Sequence, residues 1–176
     1  NYGSSNLNIF VSPVDIPAIT DVDYDGDLDI LTFSILGGFI EYHRNLSIEQ
    51  NGNCDSLIFN FEDACWGDCY EGLNSYVLNC TNCQCAPLTN QNFKQPHAGS
   101  TILAIDVDND NDKDLILGDI LYNNLNLLIN GGSNQNALVT SVDSIFPKNY
   151  LSTSQVDLPM FPAAFYIDVN NDNIKD

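Results

Sequence analysis

Three stretches of the chain carry carboxylates at a spacing suited to metal coordination: Asp21 to Asp29 (DVDYDGDLD), Asp106 to Asp114 (DVDNDNDKD) and Asp168 to Asp176 (DVNNDNIKD). They share the form D-x-[DN]-x-D-[GN]-x-x-D. Acidic side chains at positions 1, 3 and 5 of a tight turn converge on one point, and such hard oxygen ligands select calcium or, less well, magnesium. The candidate ligands are Asp21, Asp23, Asp25 and Asp29 in the first loop, Asp106, Asp108, Asp110 and Asp114 in the second, and Asp168, Asn170, Asp172 and Asp176 in the third. Position 7, which is Asp27, Asp112 or Ile174, fits a ligand supplied by the backbone carbonyl, because an Ile side chain cannot coordinate. Position 6 must turn sharply and is Gly26, Asn111 or Asn173, residue types that accept left-handed geometry. Val22, Val107 and Val169 at position 2 are expected to point into the core. An EF-hand loop opens similarly but needs a bidentate Glu at position 12 and flanking helices. Position 12 here is Thr32 or Leu117, so that reading is rejected.

The elements around the loops repeat as well. On an offset of 85, Ile30 to Asn45 (ILTFSILGGFIEYHRN) lies over Leu115 to Asn130 (LILGDILYNNLNLLIN), and each copy reads as acidic loop, strand, turn, strand. Gly37-Gly38 and Asn123-Asn124 suit turns with positive φ, and the alternation in Phe39 to Arg44 and Leu125 to Ile129 suits half-buried strands. Pro17 to Ile19, Ile102 to Ile105 and Phe165 to Ile167 read as the strands entering the loops. No sustained 3.6-residue apolar period is present, so the fold class is all-β.

Composition narrows the partners. With 24 Asp plus Glu against 5 Lys plus Arg, the net charge is −19, which argues against nucleic acid and anionic membrane. No apolar run is long enough to cross a bilayer, so membrane insertion is not expected. At 44% apolar residues the chain can bury a core. It opens at Asn1 without a basic and apolar leader, which reads as a mature or excised piece of something longer.

The nine-residue loop followed by a strand pair ending in GGFIEYHRN resembles the FG-GAP or VCBS repeat of integrin-type β-propellers and secreted bacterial proteins. The match covers two repeats and the opening of a third, while the Phe-Gly and Gly-Ala-Pro signatures of the family are not clearly present. The resemblance implies that residues 1–176 are a fragment of one β-propeller, a partial one built of FG-GAP/VCBS-like blades with Ca2+ in their loops. It also implies a secreted or cell-surface location and a role in adhesion or ligand binding. The partners would be an extracellular protein or glycan and the rest of the parent propeller. Combined with the FEDACWGDCYEG segment, the pattern is similar to secreted surface proteins of the Bacteroidetes type. A propeller of about four or more blades is not completed by these repeats, so an open arc with exposed strand edges is expected.

All six cysteines, Cys54, Cys65, Cys69, Cys80, Cys83 and Cys85, lie in the longer first repeat. Beside extracellular-style calcium loops they read as disulfides stapling an insert from Cys54 to Cys85, with pairings left open. Zinc is the alternative, on the spacings Cys65-x3-Cys69 and Cys80-x2-Cys83. The insert also offers Trp66 and Tyr70, either as a recognition surface or as cover for the disulfides, and it is expected to be dispensable to the blade. His43 and His97 have no nucleophile or ligand partner nearby, and no catalytic motif is present, so no enzyme is expected. Two function classes remain: a calcium-stabilised structural or adhesion module and, as the alternative, a carbohydrate-binding, lectin-like propeller or the non-catalytic domain of a secreted enzyme.

Overall fold

The computed structural model describes residues 8–35, 37–72, 75–80 and 100–176; Cys83, Cys85 and His97 lie outside them. The described chain is all-β, with ten strands in three antiparallel sheets. The first sheet is a meander of β1 (Ala18–Thr20), β2 (Asp29–Phe33), β3 (Ile40–Asn45) and β4 (Phe59–Asp63). A hairpin follows, β5 (Cys69–Gly72) with β6 (Ser75–Leu78). The second sheet is a meander of β7 (Ser100–Ile105), β8 (Asp114–Asp119), β9 (Leu125–Asn130) and β10 (Val139–Phe146). The only helix among the described residues is α1 (Ser47–Asn51), between β3 and β4, together with a 3-10 turn at Trp66–Asp68. No closed ring of sheets is present among these residues.

The two meanders realise the repeat. β2 and β3 correspond to β8 and β9, and each acidic loop joins the first and second strands of its sheet. The first strands are neighbours: Ile16 bridges Thr101 in parallel, with Ile16 N–H on Ser100 O at 3.0 Å and Ile102 N–H on Ile16 O at 2.9 Å. β1 and β7 therefore run the same way and deliver their loops to the same end. Alternation supplies the core between the sheets, where Leu31, Phe33, Ile40 and Tyr42 meet Ile102, Leu115, Leu117 and Leu128. The other face of the second sheet buries Ile116, Leu125 and Leu127 beneath Phe146, Val156 and Ala164, so β8 is covered on both sides.

Several sequence expectations are corrected here. Gly37 and Gly38 do take positive φ, but Asn123 and Asn124 do not; instead Asn124 Nδ2 donates to Ser144 O at 2.8 Å and to Asn126 Oδ1 at 3.3 Å. The Cys-rich stretch is not an appendage. It contributes β4 to the first sheet, and Trp66 and Cys69 belong to the main core between the sheets. Trp66 is buried and displays nothing to a partner. Cys54 and Cys69 are free thiols, against the expectation that all six cysteines pair. Cys65 and Cys80 are disulfide-bonded, which leaves neither a thiolate for zinc. Phe165 to Ile167 form no strand and are exposed. In the first two copies the entering strand pairs with a strand beginning at position 9, which is Asp29 or Asp114. In the third copy, position 9 is Asp176, whose N–H donates to Ile167 O at 2.9 Å.

Candidate metal centre

The three loops fold alike because their own carboxylates organise the backbone. In the first, Asp21 accepts from the N–H groups of Asp25 and Gly26, both at 3.1 Å, and Asp25 accepts from Asp27 N–H at 3.0 Å. In the second, Asp106 accepts from Asp110 at 3.2 Å and Asn111 at 3.1 Å, and Asp110 from Asp112 at 3.1 Å. The third repeats this with Asp168 accepting from Asp172 and Asn173, and Asp172 from Ile174. These bonds require two left-handed residues. Position 6 is one, as expected; position 4 is the other, at Tyr24, Asn109 and Asn171 with φ near 65°, 63° and 62°. Asn109 and Asn171 are turn residues by type, whereas Tyr24 is not, so position 4 carried its signal in two copies of three.

Position 9 has a second job that its type alone does not disclose. Asp29 is fully buried and accepts from Val22 N–H at 2.9 Å, Asn45 N–H at 2.8 Å and Tyr42 Oη–H at 3.2 Å. Asp114 accepts from Val107 N–H at 2.8 Å and Asn130 N–H at 2.9 Å. The carboxylate thus clasps position 2 of its loop to the end of the third strand. The matched asparagines continue the clasp: Asn45 Oδ1 accepts from Ser47 and Ile58, and Asn130 Oδ1 from Gly132 and Leu138. Val22 is core, as expected, and Val107 is partly buried against Ile116, Leu125 and Leu127 on the other face of the second sheet, but Val169 is 74% exposed.

Two triads of carboxylates converge, Asp21 with Asp23 and Asp29, and Asp106 with Asp108 and Asp114, each within 4.8 Å. Positions 1, 3 and 9 therefore come together in both loops. Position 5, expected to converge with positions 1 and 3, joins neither triad: Asp25 groups with Asp23 and Glu49 of α1 instead, and Asp110 belongs to no such group among the described residues. Arg44 on β3 fills that second cluster, with Nη2 at 2.6 Å from Asp23, 3.8 Å from Asp25 and 2.5 Å from Glu49. Neither Arg44 nor Glu49 was evident as a site residue from the repeat, since neither is matched in the second copy: the offset places Ile129 and Asn134 there. The third loop keeps its backbone bonds, but Asp168, Asn170, Asp172, Ile174 and Asp176 are largely exposed and form no such triad.

A cation suits this donor set. All the converging atoms are carboxylate oxygens, and Asp27 Oδ1 and Asp112 Oδ1 are buried without a hydrogen-bond donor, in residues only 1% and 3% exposed. The other Asp27 oxygen accepts from Ile48 N–H at 3.0 Å and so caps α1. Burial pushes the Asp29 carboxyl up to about 6 despite its backbone donors, and burial with the nearby Asp110 and Asp114 charges pushes Asp112 up to about 7. Burial likewise raises Asp23 and Asp114. Across the gap between the sheets, Lys113 Nζ lies 3.9 Å from the Tyr24 ring centroid and Asn134 Nδ2 donates to Asp23 O at 2.9 Å, tying the first loop to the second sheet.

No protein-family model matches the chain, and no curated protein or solved structure is significantly similar to it. No helix among the described residues is long and apolar enough to cross a membrane.

Proposed function

We propose that the chain is a calcium-binding, non-catalytic module of FG-GAP/VCBS-like β-propeller type, acting in adhesion or ligand binding on a secreted or cell-surface protein. The observation that carries the calcium reading is the same 1, 3, 9 carboxylate triad at the same end of two neighbouring four-stranded meanders. Four-stranded meanders with adjacent parallel first strands are what two successive blades would present. The ligands would be Asp21, Asp23 and Asp29 in the first loop and Asp106, Asp108 and Asp114 in the second, and the ion would neutralise carboxylates that otherwise repel. Equilibrium dialysis against calcium tests this. Saturable binding that Asp21→Asn with Asp106→Asn abolishes supports the reading, and absence of saturable binding at millimolar calcium refutes it.

A second reading, carbohydrate binding, is favoured by a polar cavity of about 320 Å³ between the β5–β6 hairpin and the second sheet. Tyr76, Tyr122, Asn124, Asn126 and Gln155 among its lining combine ring faces with amide donors, the chemistry that holds a sugar. A glycan array probed with and without chelator distinguishes a lectin from a purely structural calcium module.

A further inference from the structure

We propose that Arg44 is a built-in competitor for the cation of the first loop, so that the second loop fills at lower calcium and the first fills only as the guanidinium yields Asp23. The inference rests on the calcium reading above and concerns how the two loops differ. Asp23 belongs to two clusters at once, the triad with Asp21 and Asp29 and the group with Asp25 and Glu49. The second group already holds a cation, since Arg44 Nη2 contacts Asp23 and Glu49 at 2.6 and 2.5 Å and stands 3.8 Å from Asp25. That contact shows directly that the first loop attracts positive charge, independently of the repeat pattern.

Among the described residues the second loop has no such resident. Ile129 stands where Arg44 would be, and Lys113, at position 8 of the loop, directs its ammonium onto the Tyr24 ring. Asp112 Oδ1 is buried there without a donor, as Asp27 Oδ1 is in the first loop, so the two loops differ in the guanidinium and not in this oxygen. A divalent ion entering the second loop therefore meets carboxylates alone. In the first loop it meets the same carboxylates with a unit positive charge one ligand away, and Arg44 is anchored from outside the repeat by Glu49. At a separation of a few ångströms and an intermediate dielectric, that repulsion weakens binding by about tenfold or more.

The test is calorimetric titration of calcium into the full chain carrying Asp168→Asn, which removes position 1 of the third loop, alone and with Arg44→Ile, Arg44→Gln or Asp106→Asn added. The expected result is two classes at least about tenfold apart, the tighter lost in Asp106→Asn and the weaker tightened about tenfold in both Arg44 variants. Arg44→Gln keeps the side-chain stem on the strand should the isoleucine disturb folding. A single class in the parent, or a weaker class that is unchanged or weakened further in both Arg44 variants, overturns the competitor role and makes Arg44 a support for Asp23. Absence of saturable binding in every protein refutes the calcium reading itself, a result distinct from the first.

Discussion

Replacing Asp29 by Ala separates the clasp at position 9 from metal binding, provided the comparison is made in EDTA. The substitution removes the acceptor of three donors, Val22 N–H, Asn45 N–H and Tyr42 Oη–H, all at buried residues. At about 1 kcal/mol or more for each buried donor left without a partner, the gross cost is at least about 3 kcal/mol. Part of it is offset, because the Asp29 carboxyl is held at about 6 and its ionisation at pH 7 already opposes folding in the metal-free protein. A shift from 3.8 to about 6 makes that offset about 3 kcal/mol at pH 7, so the net loss there is small; at pH 5, where the carboxyl is largely protonated, it is about 1–2 kcal/mol, which for a chain of this length lowers the melting midpoint by roughly 2–8 °C. The pH dependence provides a second check. A carboxyl raised from 3.8 to about 6 contributes stability that is full below pH 4 and lost as pH rises through 6. The variant should therefore lose more against wild type at pH 5 than at pH 7.5. Thermal unfolding by circular dichroism in EDTA at both pH values measures this. A midpoint unchanged at pH 5 would refute the clasp and leave Asp29 as a calcium ligand only.

Trp66→Ala should destabilise the chain by about 3–5 kcal/mol, since the indole is packed in the core shared by both sheets; a loss under 1 kcal/mol in urea unfolding contradicts its place there. In EDTA the wild-type melting midpoint should rise as pH falls from 8 to 5, because Asp112 at about 7 and Asp29 at about 6 cease to oppose folding as they protonate, while in calcium acidification should lower it by releasing the ion. A metal-free midpoint that falls over that range contradicts the raised carboxyls. Maleimide at neutral pH should label Cys54, which is exposed, and spare Cys69, whose thiol burial pushes up to about 12; peptide mass mapping reads the outcome, and labelling of native Cys69 contradicts it.

How much of this was legible in the residues differs from place to place. The strand pairs β2–β3 and β8–β9 and the left-handed residues at position 6 follow from period-two patterning, turn chemistry and an 85-residue offset. Those signals are local. The alignment of Asn45 with Asn130 was visible too, but its reason, one amide bracing the start of the next strand in each sheet, needs the tertiary contacts. Three features were hidden. β4 lies inside the cysteine-rich stretch, where the eye reads staples and misses the Phe59 and Phe61 alternation. Arg44 and Glu49 stand outside the nine-residue loop, and long-range charge pairing leaves no mark in a motif. The third copy matches the others in sequence and in backbone hydrogen bonds, yet Val169 and Ile174 are exposed, because packing depends on neighbours that a repeat pattern does not supply.

The most direct test of the calcium account is the melting midpoint of the chain in EDTA and in millimolar calcium, run beside Asp21→Asn with Asp106→Asn. An ion at about 100 times its dissociation constant adds roughly 2.7 kcal/mol per site. Filling both triads should then raise the wild-type midpoint by roughly 10–20 °C, and the double variant should lose most of that rise. Equal midpoints in EDTA and calcium for the wild-type chain would contradict the account.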